Sequence, residues 1–539
     1  MKYGFVIDNR KCIGCHACTT ACKAEHEVPV GVNRTWVKQV EKGEFPDTRR
    51  LFSVMRCNHC TDAPCVTICP TEALFIREDG IVDFDKDRCI GCKSCMQACP
   101  YDALYIDPET HTAAKCNYCA HRIDVGLEPA CVNVCPEHAI ISGDMENPET
   151  EIAQLLSRHP VTARKAEKGT NPNLFYIDAD EASLVPAASE KLDVSLWSSQ
   201  SHGVGHFAKE AEKLANTNVD LLGELYKFKH ETESVPPTQK APRTVQVVMD
   251  QTKEVYNTPD KGILWGWEVS AYVWTKAISA GAILVLVLAL LTGSIETTSF
   301  LWAAGSIVGL VFLTLTGALL VKDLDQPFRF AYVLLRPHWS SWLVKGGYAI
   351  TIYGGLLALI LAAMYFEWTA LIYPAFIAAG VIASIVAIYT AFLFAQAKGR
   401  DFWQSPTMAI HMFVHSFMAG VAVYLLITLG TTTEPSWQQF LVKTGMIAIF
   451  INLFTLGMDL SITHPTQDAK EVVNMILKGR YKTMFWIGTI LIGNVLPLLL
   501  FFTASDSSML CALAGILTLV GVYINNHIWV EAPQRIALS

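Results

Sequence analysis

Apolar positions divide the chain into two halves with different periods. From Glu268 onward, runs long enough to cross a hydrocarbon core recur eight times, near 268–292, 299–321, 342–364, 370–395, 408–430, 439–460, 484–504 and 508–528. They predict an all-α bundle of eight transmembrane helices, and an even count returns the C-terminus to the side of the N-terminal region. Before residue 180 the apolar positions come in short β-rich clusters instead. "IVDFDKDRCIGCKSCMQACPYDALYID" reads as strand, cysteine loop, helix and strand, and "TEALFI", "DALYID" and "EHAIIS" each follow a cysteine-proline end, so one small unit is rebuilt along the chain. Between the halves, residues 181–262 form a polar linker rich in Ser, Pro and charge. Its "FAKEAEKLANTNVDLLGELYKFKHE" is loosely amphipathic through Phe207, Ala211, Leu214, Val219 and Leu222. The expected organisation is therefore 1–180, the linker 181–262, and a membrane region 263–539.

Composition agrees with this division. A length of 539 residues alone suggests roughly three or four domains, but 51% hydrophobic against 17% charged residues requires a large part of the chain to be apolar throughout. The net charge of −8 averages a charged half with an apolar one, and no nucleic-acid partner is expected. The N-terminal "MKYGFVIDNRKC" lacks the apolar core of a secretory signal, so no export address is expected on the chain itself.

Sixteen of the seventeen cysteines lie between Cys12 and Cys135; the other is Cys511, read as a packing thiol. They fall into four quartets: Cys12, Cys15, Cys18, Cys22; Cys57, Cys60, Cys65, Cys69; Cys89, Cys92, Cys95, Cys99; and Cys116, Cys119, Cys131, Cys135. The third quartet fits the bacterial ferredoxin spacing C-x2-C-x2-C-x3-C-P in full, the first lacks only the proline, and the others are spaced variants. Zinc competes, because C-x2-C pairs also build closed tetrahedral sites, but a zinc ribbon has no use for the x3-C-P tail repeated here. A disulfide framework rarely repeats a metal-ligand spacing four times. Iron-sulfur chemistry is the expectation. His202, His206 and His230 in the linker are read as surface residues, with a metal site among them disfavoured.

Residues 1 to about 178, ending in "GTNPNLFYI", resemble the four-cluster iron-sulfur subunits of the molybdopterin oxidoreductase superfamily, such as dimethyl sulfoxide and polysulfide reductases. The resemblance implies an α+β ferredoxin-like domain of two double-cubane modules, with the first quartet paired to the fourth and the second to the third. Carried over by motif position, one cluster takes Cys12, Cys15, Cys18 and Cys135, and its neighbour Cys22, Cys116, Cys119 and Cys131. The other two take Cys57, Cys60, Cys65 with Cys99, and Cys69 with Cys89, Cys92 and Cys95. Some relatives replace one cysteine of the third quartet; Cys92 is present here, so four 4Fe-4S centres are expected. The family also implies a separate molybdenum or tungsten bis-pterin catalytic subunit, for which this sequence has no recognisable domain.

In the membrane half, "WGWEVSAYVWTKAISAGA" and "DLDQPFRFAYVLLRPHWSSW" are similar to the first span and the loop after the second span of the NrfD, or polysulfide reductase membrane subunit, family. The resemblance covers about 262–530. It implies an eight-helix NrfD-like bundle that binds menaquinone or ubiquinone near its iron-sulfur face, here fused to the iron-sulfur subunit rather than separate.

Ionisable residues inside spans are costly and so become candidates for a quinone or proton path. Glu268, Tyr272 and Lys276 follow one another by a turn on the first span, which places Lys276 about 12 Å beyond Glu268. A lysine at that depth requires a carboxylate or a water-filled path. His411 and His415 stand one turn apart on the fifth span, Asp459 closes the sixth, and Asp323, Asp325 and Arg329 line the loop after the second. The bland readings are interfacial carboxylates, a snorkelling arginine and packed histidines. Because His411 and His415 share one helix and His527 lies near the end of another, no haem is expected.

Loops on the N-terminal side carry Lys322, Arg329, Arg336, Lys398, Arg400, Lys470, Lys478, Arg480, Lys482 and Arg535, whereas the opposite loops carry no Lys or Arg. The positive-inside rule then places the iron-sulfur domain in the cytoplasm. The same bases also face that domain and can serve to dock it, and an exported partner would carry it to the periplasm. The function expected is electron transfer between membrane quinone and a separate catalytic subunit. The alternatives are redox-coupled proton translocation, or a regulatory or assembly protein with structural metal. The terminal substrate and the direction of flow stay open.

Overall fold

A computed structural model describes residues 1–43, 47–191, 252–293, 299–430, 435–462 and 464–539. The amphipathic stretch of the linker and His202, His206 and His230 lie outside the described residues.

The N-terminal half is built on two four-stranded sheets and two hairpins. β1 (Tyr3–Asp8), β8 (Ile140–Asp144), β9 (Val161–Thr162) and β10 (Leu174–Ile177) form the first sheet in the order β8-β1-β10-β9. β2 (Thr35–Lys42), β3 (Arg49–Arg56), β11 (Glu190–Lys191) and β12 (Thr252–Tyr256) form the second, ordered β11-β12-β2-β3. β4 (Leu74–Ile76) pairs with β5 (Val82–Phe84), and β6 (Leu104–Ile106) with β7 (Ala113–Lys115). Short helices leave the cysteine loops: α1 (Ala17–His26), α2 (Pro64–Ile68), α3 (Ser94–Ala98), α4 (Ala120–Ile123) and α5 (Ala130–Asn133). β11 and β12 fall within the stretch expected to be a tether. β12 runs antiparallel to β2 with Thr252 opposite Lys42, so the end of that stretch belongs to the N-terminal domain.

The backbone repeats with the cysteines. In the first C-x2-C pair of each quartet the residue before the second cysteine has positive φ: Gly14 (72°), His59 (43°), Gly91 (68°) and Tyr118 (61°). This left-handed turn costs a β-carbon some strain except at glycine. It curls the loop so that amides face the preceding sulfur: His59 N donates to Cys57 Sγ at 3.4 Å and Gly91 N to Cys89 Sγ at 3.4 Å.

Among the described residues eight helices are long and apolar enough to span a membrane: Trp267–Leu291, Phe300–Lys322, Trp342–Tyr365, Thr369–Gln396, Thr407–Ile427, Pro435–Ser461, Met484–Thr503 and Ser508–Arg535. The expected spans match these closely, because uninterrupted apolar runs leave little freedom in where a helix can lie. The first and fifth are the most buried. Spans one to four pack on one another, as do five to eight, and the two sets meet where the first span lies on the fifth. There Gly281 and Gly420 bring backbone against backbone, and a methyl group on either would overlap the facing main chain. A common spacing runs through both central spans: Tyr272, Lys276, Gly281 in the first and His411, His415, Gly420 in the fifth. The seventh span is wound as a π-helix over Met484–Val495 before continuing as an α-helix over Leu496–Thr503. Such winding is rare in long runs and recurs at functional positions.

Gly420→Val forces the two central spans apart, an overpacking worth about 1–3 kcal/mol or more. It should abolish a monodisperse peak in fluorescence-detected size exclusion. Gly457→Ala, where nothing lies within 4 Å of the added carbon, should elute as the parent.

Candidate functional site

None of the seventeen cysteines forms a disulfide. Cys12, Cys15, Cys18 and Cys135 line one small cavity, and Cys69, Cys89, Cys92 and Cys95 line another. Cys22 lies beside Cys116, Cys119 and Cys131, and Cys60 and Cys65 lie beside Cys57 and Cys99. The structure thus gathers the four sets that the resemblance implied. The sets follow one another in series within electrostatic reach: Cys95 of Cys65, Cys57 of Cys116, and Cys18 of Cys131.

The surroundings suit polynuclear anionic groups. Arg56 is wholly buried, donating from Nη1 to Cys131 Sγ at 3.0 Å with its guanidinium over the Phe5 ring at 4.5 Å. Lys115, also wholly buried, donates to Cys116 O at 2.8 Å and to Val82 O. Ala113 N reaches Cys89 Sγ and Ala139 N reaches Cys135 Sγ, both at 3.3 Å. Buried cations and amide donors of this kind offset the charge of thiolate-bound clusters and tune their potential. The residues therefore fit four 4Fe-4S centres.

The set of Cys69, Cys89, Cys92 and Cys95 faces the membrane half, and its carbonyl oxygens dock it there. Trp265 Nε1 donates to Cys92 O at 3.1 Å, Arg329 Nη1 donates to Cys89 O at 3.1 Å and to Lys86 O at 2.8 Å, and His338 Nδ1 lies 2.8 Å from Cys69 O. Lys93 Nζ donates to Asp323 O at 2.9 Å and pairs with Asp325 at 3.2 Å. Asp325 N and Gln326 N in turn donate to Gly91 O and Ile90 O. A second strut is Arg400, whose Nε donates to Gln97 Oε1 at 2.8 Å while Gln97 donates to Gln534 Oε1 at 2.6 Å. Arg329 and Arg400, counted among the topology-setting bases, are committed to this interface.

Beneath it the membrane candidates separate into two groups. In the first half Glu268 pairs with Lys322 at 3.5 Å. Asp323 lies within electrostatic reach of Glu268 and Tyr272, and Tyr272 is within reach of Tyr389. Lys276 Nζ donates to Thr390 Oγ1 at 2.6 Å and lies 4.5 Å from the centre of the Tyr389 ring. Its partners are thus a hydroxyl and a π-face; of the two expectations, a carboxylate or a water-filled path, the carboxylate is not among them. In the second half His411 and His415 lie 4.1 Å apart between ring centres, and His411 stacks on Trp529 at 5.4 Å. Asp459 accepts from Ser405 at 3.0 Å and from Thr407, at the mouth of the fifth span. Thr390, Asn525, Asn526 and the docking residue Trp265 escaped the sequence reading, because neutral polar and aromatic residues carry no charge signal in an apolar run.

The description "4Fe-4S dicluster domain" matches residues 11–74 and, in a second form, 48–145, and "Polysulphide reductase, NrfD" matches residues 256–536. One subunit of the tetrathionate reductase of Salmonella typhimurium is 44% identical over 200 residues, covering 36% of this chain and 80% of that one. One component of the polysulfide reductase of Wolinella succinogenes is 44% identical over 181 residues, 33% of this chain and 94% of that protein. The arsenate respiratory reductase iron-sulfur subunit of a Shewanella species is 34% identical over 225 residues, covering 33% of this chain and 96% of its own length.

Burial pushes the Asp323 carboxyl up to about 7, with Lys93 opposing and Glu268 and Asp325 adding to the rise. A carboxyl whose folded pKa lies above its unfolded value costs stability as it ionises. Asp323→Asn should therefore gain thermal stability relative to the parent as pH rises from about 4 to about 7, and the gap should level off above that. A gap independent of pH in melts across this window would refute the assignment.

Proposed function

Because this protein belongs to the polysulphide reductase NrfD family and carries at its N-terminus the dicluster region of reductase iron-sulfur subunits, we propose that it moves electrons between membrane quinone and a separate catalytic subunit. The observation that carries this reading is the docking of the Cys69, Cys89, Cys92 and Cys95 set onto Trp265 and the 323–329 loop. Asp323 of that loop lies within electrostatic reach of Glu268 and Tyr272 on the first span, and Lys276 follows one turn further along it.

When bound, four 4Fe-4S centres would supply one-electron steps, and the quinone/quinol couple of menaquinone or ubiquinone would exchange two electrons together with two protons. The protein contributes position and protons. We assign the ligand sets as Cys12, Cys15, Cys18, Cys135; Cys22, Cys116, Cys119, Cys131; Cys57, Cys60, Cys65, Cys99; and Cys69, Cys89, Cys92, Cys95. Lys276 and Tyr272 offer N–H and O–H donors to a quinone carbonyl oxygen, and Glu268 and Asp323 exchange its protons with the iron-sulfur face. At the other end Cys15 and Ile13 are exposed, which suits a partner that takes electrons from the Cys12 set. That partner is read as a molybdenum or tungsten bis-pterin subunit. The chain is a multi-pass membrane protein. Exposed Lys470, Lys478, Arg480 and Lys482 keep a basic bias that docking does not use, and favour a cytoplasmic iron-sulfur domain.

The complex purified from native membranes should carry about sixteen iron atoms per copy of this chain and co-purify with a pterin-bearing subunit. Added quinol should bleach the cluster absorbance, and Lys276→Met should slow that bleaching by about a hundredfold without lowering the iron content. Quinol that leaves every cluster oxidised, with iron intact, would sink the quinone assignment.

A further inference from the structure

The second half of the membrane bundle holds a cluster of buried polar atoms that the quinone reading leaves unused. His411, His415, Asn452, Thr489, Asn525 and Asn526 come from spans five to eight, and all are at most 4% exposed. Asn525 Nδ2 lies 2.6 Å from His411 Nε2, and His415 Nδ1 lies 3.0 Å from Asn526 Oδ1. Asn452 stands beside His415 and donates to Asn494 Oδ1 at 2.9 Å, while Asn494 donates to Thr489 O at 2.8 Å. These contacts join the four spans through polar atoms alone.

Each of the six side chains keeps one buried atom that makes no hydrogen bond of good geometry: His411 Nδ1, His415 Nε2, Asn452 Oδ1, Thr489 Oγ1, Asn525 Oδ1 and Asn526 Nδ2, with the Asn452 and His415 side chains lying beside each other. The bonds already made decide what those atoms are. His411 accepts from the Asn525 amide, so its open Nδ1 carries a proton; His415 donates from Nδ1, so its open Nε2 is an acceptor. The open donors are then His411 Nδ1–H and Asn526 Nδ2–H, the open acceptors are His415 Nε2, Asn525 Oδ1 and Asn452 Oδ1, and the Thr489 hydroxyl serves either way. Turning over the Asn525 amide exchanges its open acceptor for a donor and the open donor of His411 for an acceptor, so the balance is unchanged. A cation site would present acceptors only and an anion site donors only. A mixed set calls for a ligand that does both, and water, which donates and accepts, is the usual partner of buried polar groups left open in this way.

We propose that spans five to eight enclose an ordered-water site centred on His411 and His415 and extending past Asn452 to Thr489. Thr489 lies within the π-wound stretch of the seventh span, and its carbonyl oxygen is tied to the cluster through Asn494. The proposal does not depend on quinone binding in the first half.

Electron cryomicroscopy of the full chain with its partners in lipid nanodiscs, at a resolution that shows water, should reveal discrete densities within hydrogen-bonding distance of His411 Nδ1, His415 Nε2 and Asn452 Oδ1. Side chains re-paired among themselves with no such density would overturn it. Thr489→Val, nearly isosteric, gives an independent sign. In a hydrated site it removes a hydrogen bond and lowers the melting temperature. In a dry site it removes a buried unpaired group and leaves the melting temperature unchanged or raises it, which would also overturn the proposal.

Discussion

Everything in this protein depends on the way three cysteines face two directions at once. Cys69, Cys89 and Cys92 turn their sulfurs into one cavity while their carbonyl oxygens accept from His338, Arg329 and Trp265 of the membrane half. A carbonyl on a tight turn has few alternative acceptor roles, so each bond fixes the loop and the span loop together. Because the donors are a guanidinium, an indole and an imidazole on separate segments, the thiol set cannot rotate without breaking several bonds together. The distance between that set and the polar group under it is thereby a property of main-chain geometry, and less of flexible side chains.

The same economy runs along the rest of the series. Positive-φ residues at the same place in the first C-x2-C pair of every quartet give each loop a common turn, and the four sets follow one another within electrostatic reach. Between sets sit Arg56 and Lys115, both wholly buried. A buried cation alone would be expensive, and its placement among thiols is what makes it tolerable.

How much of this was legible in the sequence follows from the range of each signal. Cysteine spacing is local, so the quartets could be read directly. Their pairing across the chain came from family resemblance, since spacing alone does not say that Cys12 lies near Cys135. Span positions were legible because an apolar run has one stable home in a bilayer. The place of β12 was hidden, as Thr252 finds Lys42 across more than two hundred residues of sequence. Arg329 and Arg400 looked like topology signals because charge counting cannot separate a base that faces a membrane from one that clasps a carbonyl. Asn525, Asn526 and Thr390 were missed for the opposite reason: without charge they do not interrupt an apolar pattern, and only packing reveals that each meets one of the flagged residues.

The pairing of β11 with β12 alters what joins the two halves. Glu190 sits opposite Lys253 in a parallel pair, so the long polar stretch leaves the sheet and returns to it beside its own starting point. In topological terms it is an excursion from one domain, and the covalent bridge between the halves is only the short piece from Asn257 to Gly266. A tether of that length holds the partner surface at a high effective concentration. Damage to the docking bonds in a fused protein would therefore appear as a misplaced thiol set within an intact polypeptide, whereas in an arrangement of two separate polypeptides the same damage would appear as a lost subunit.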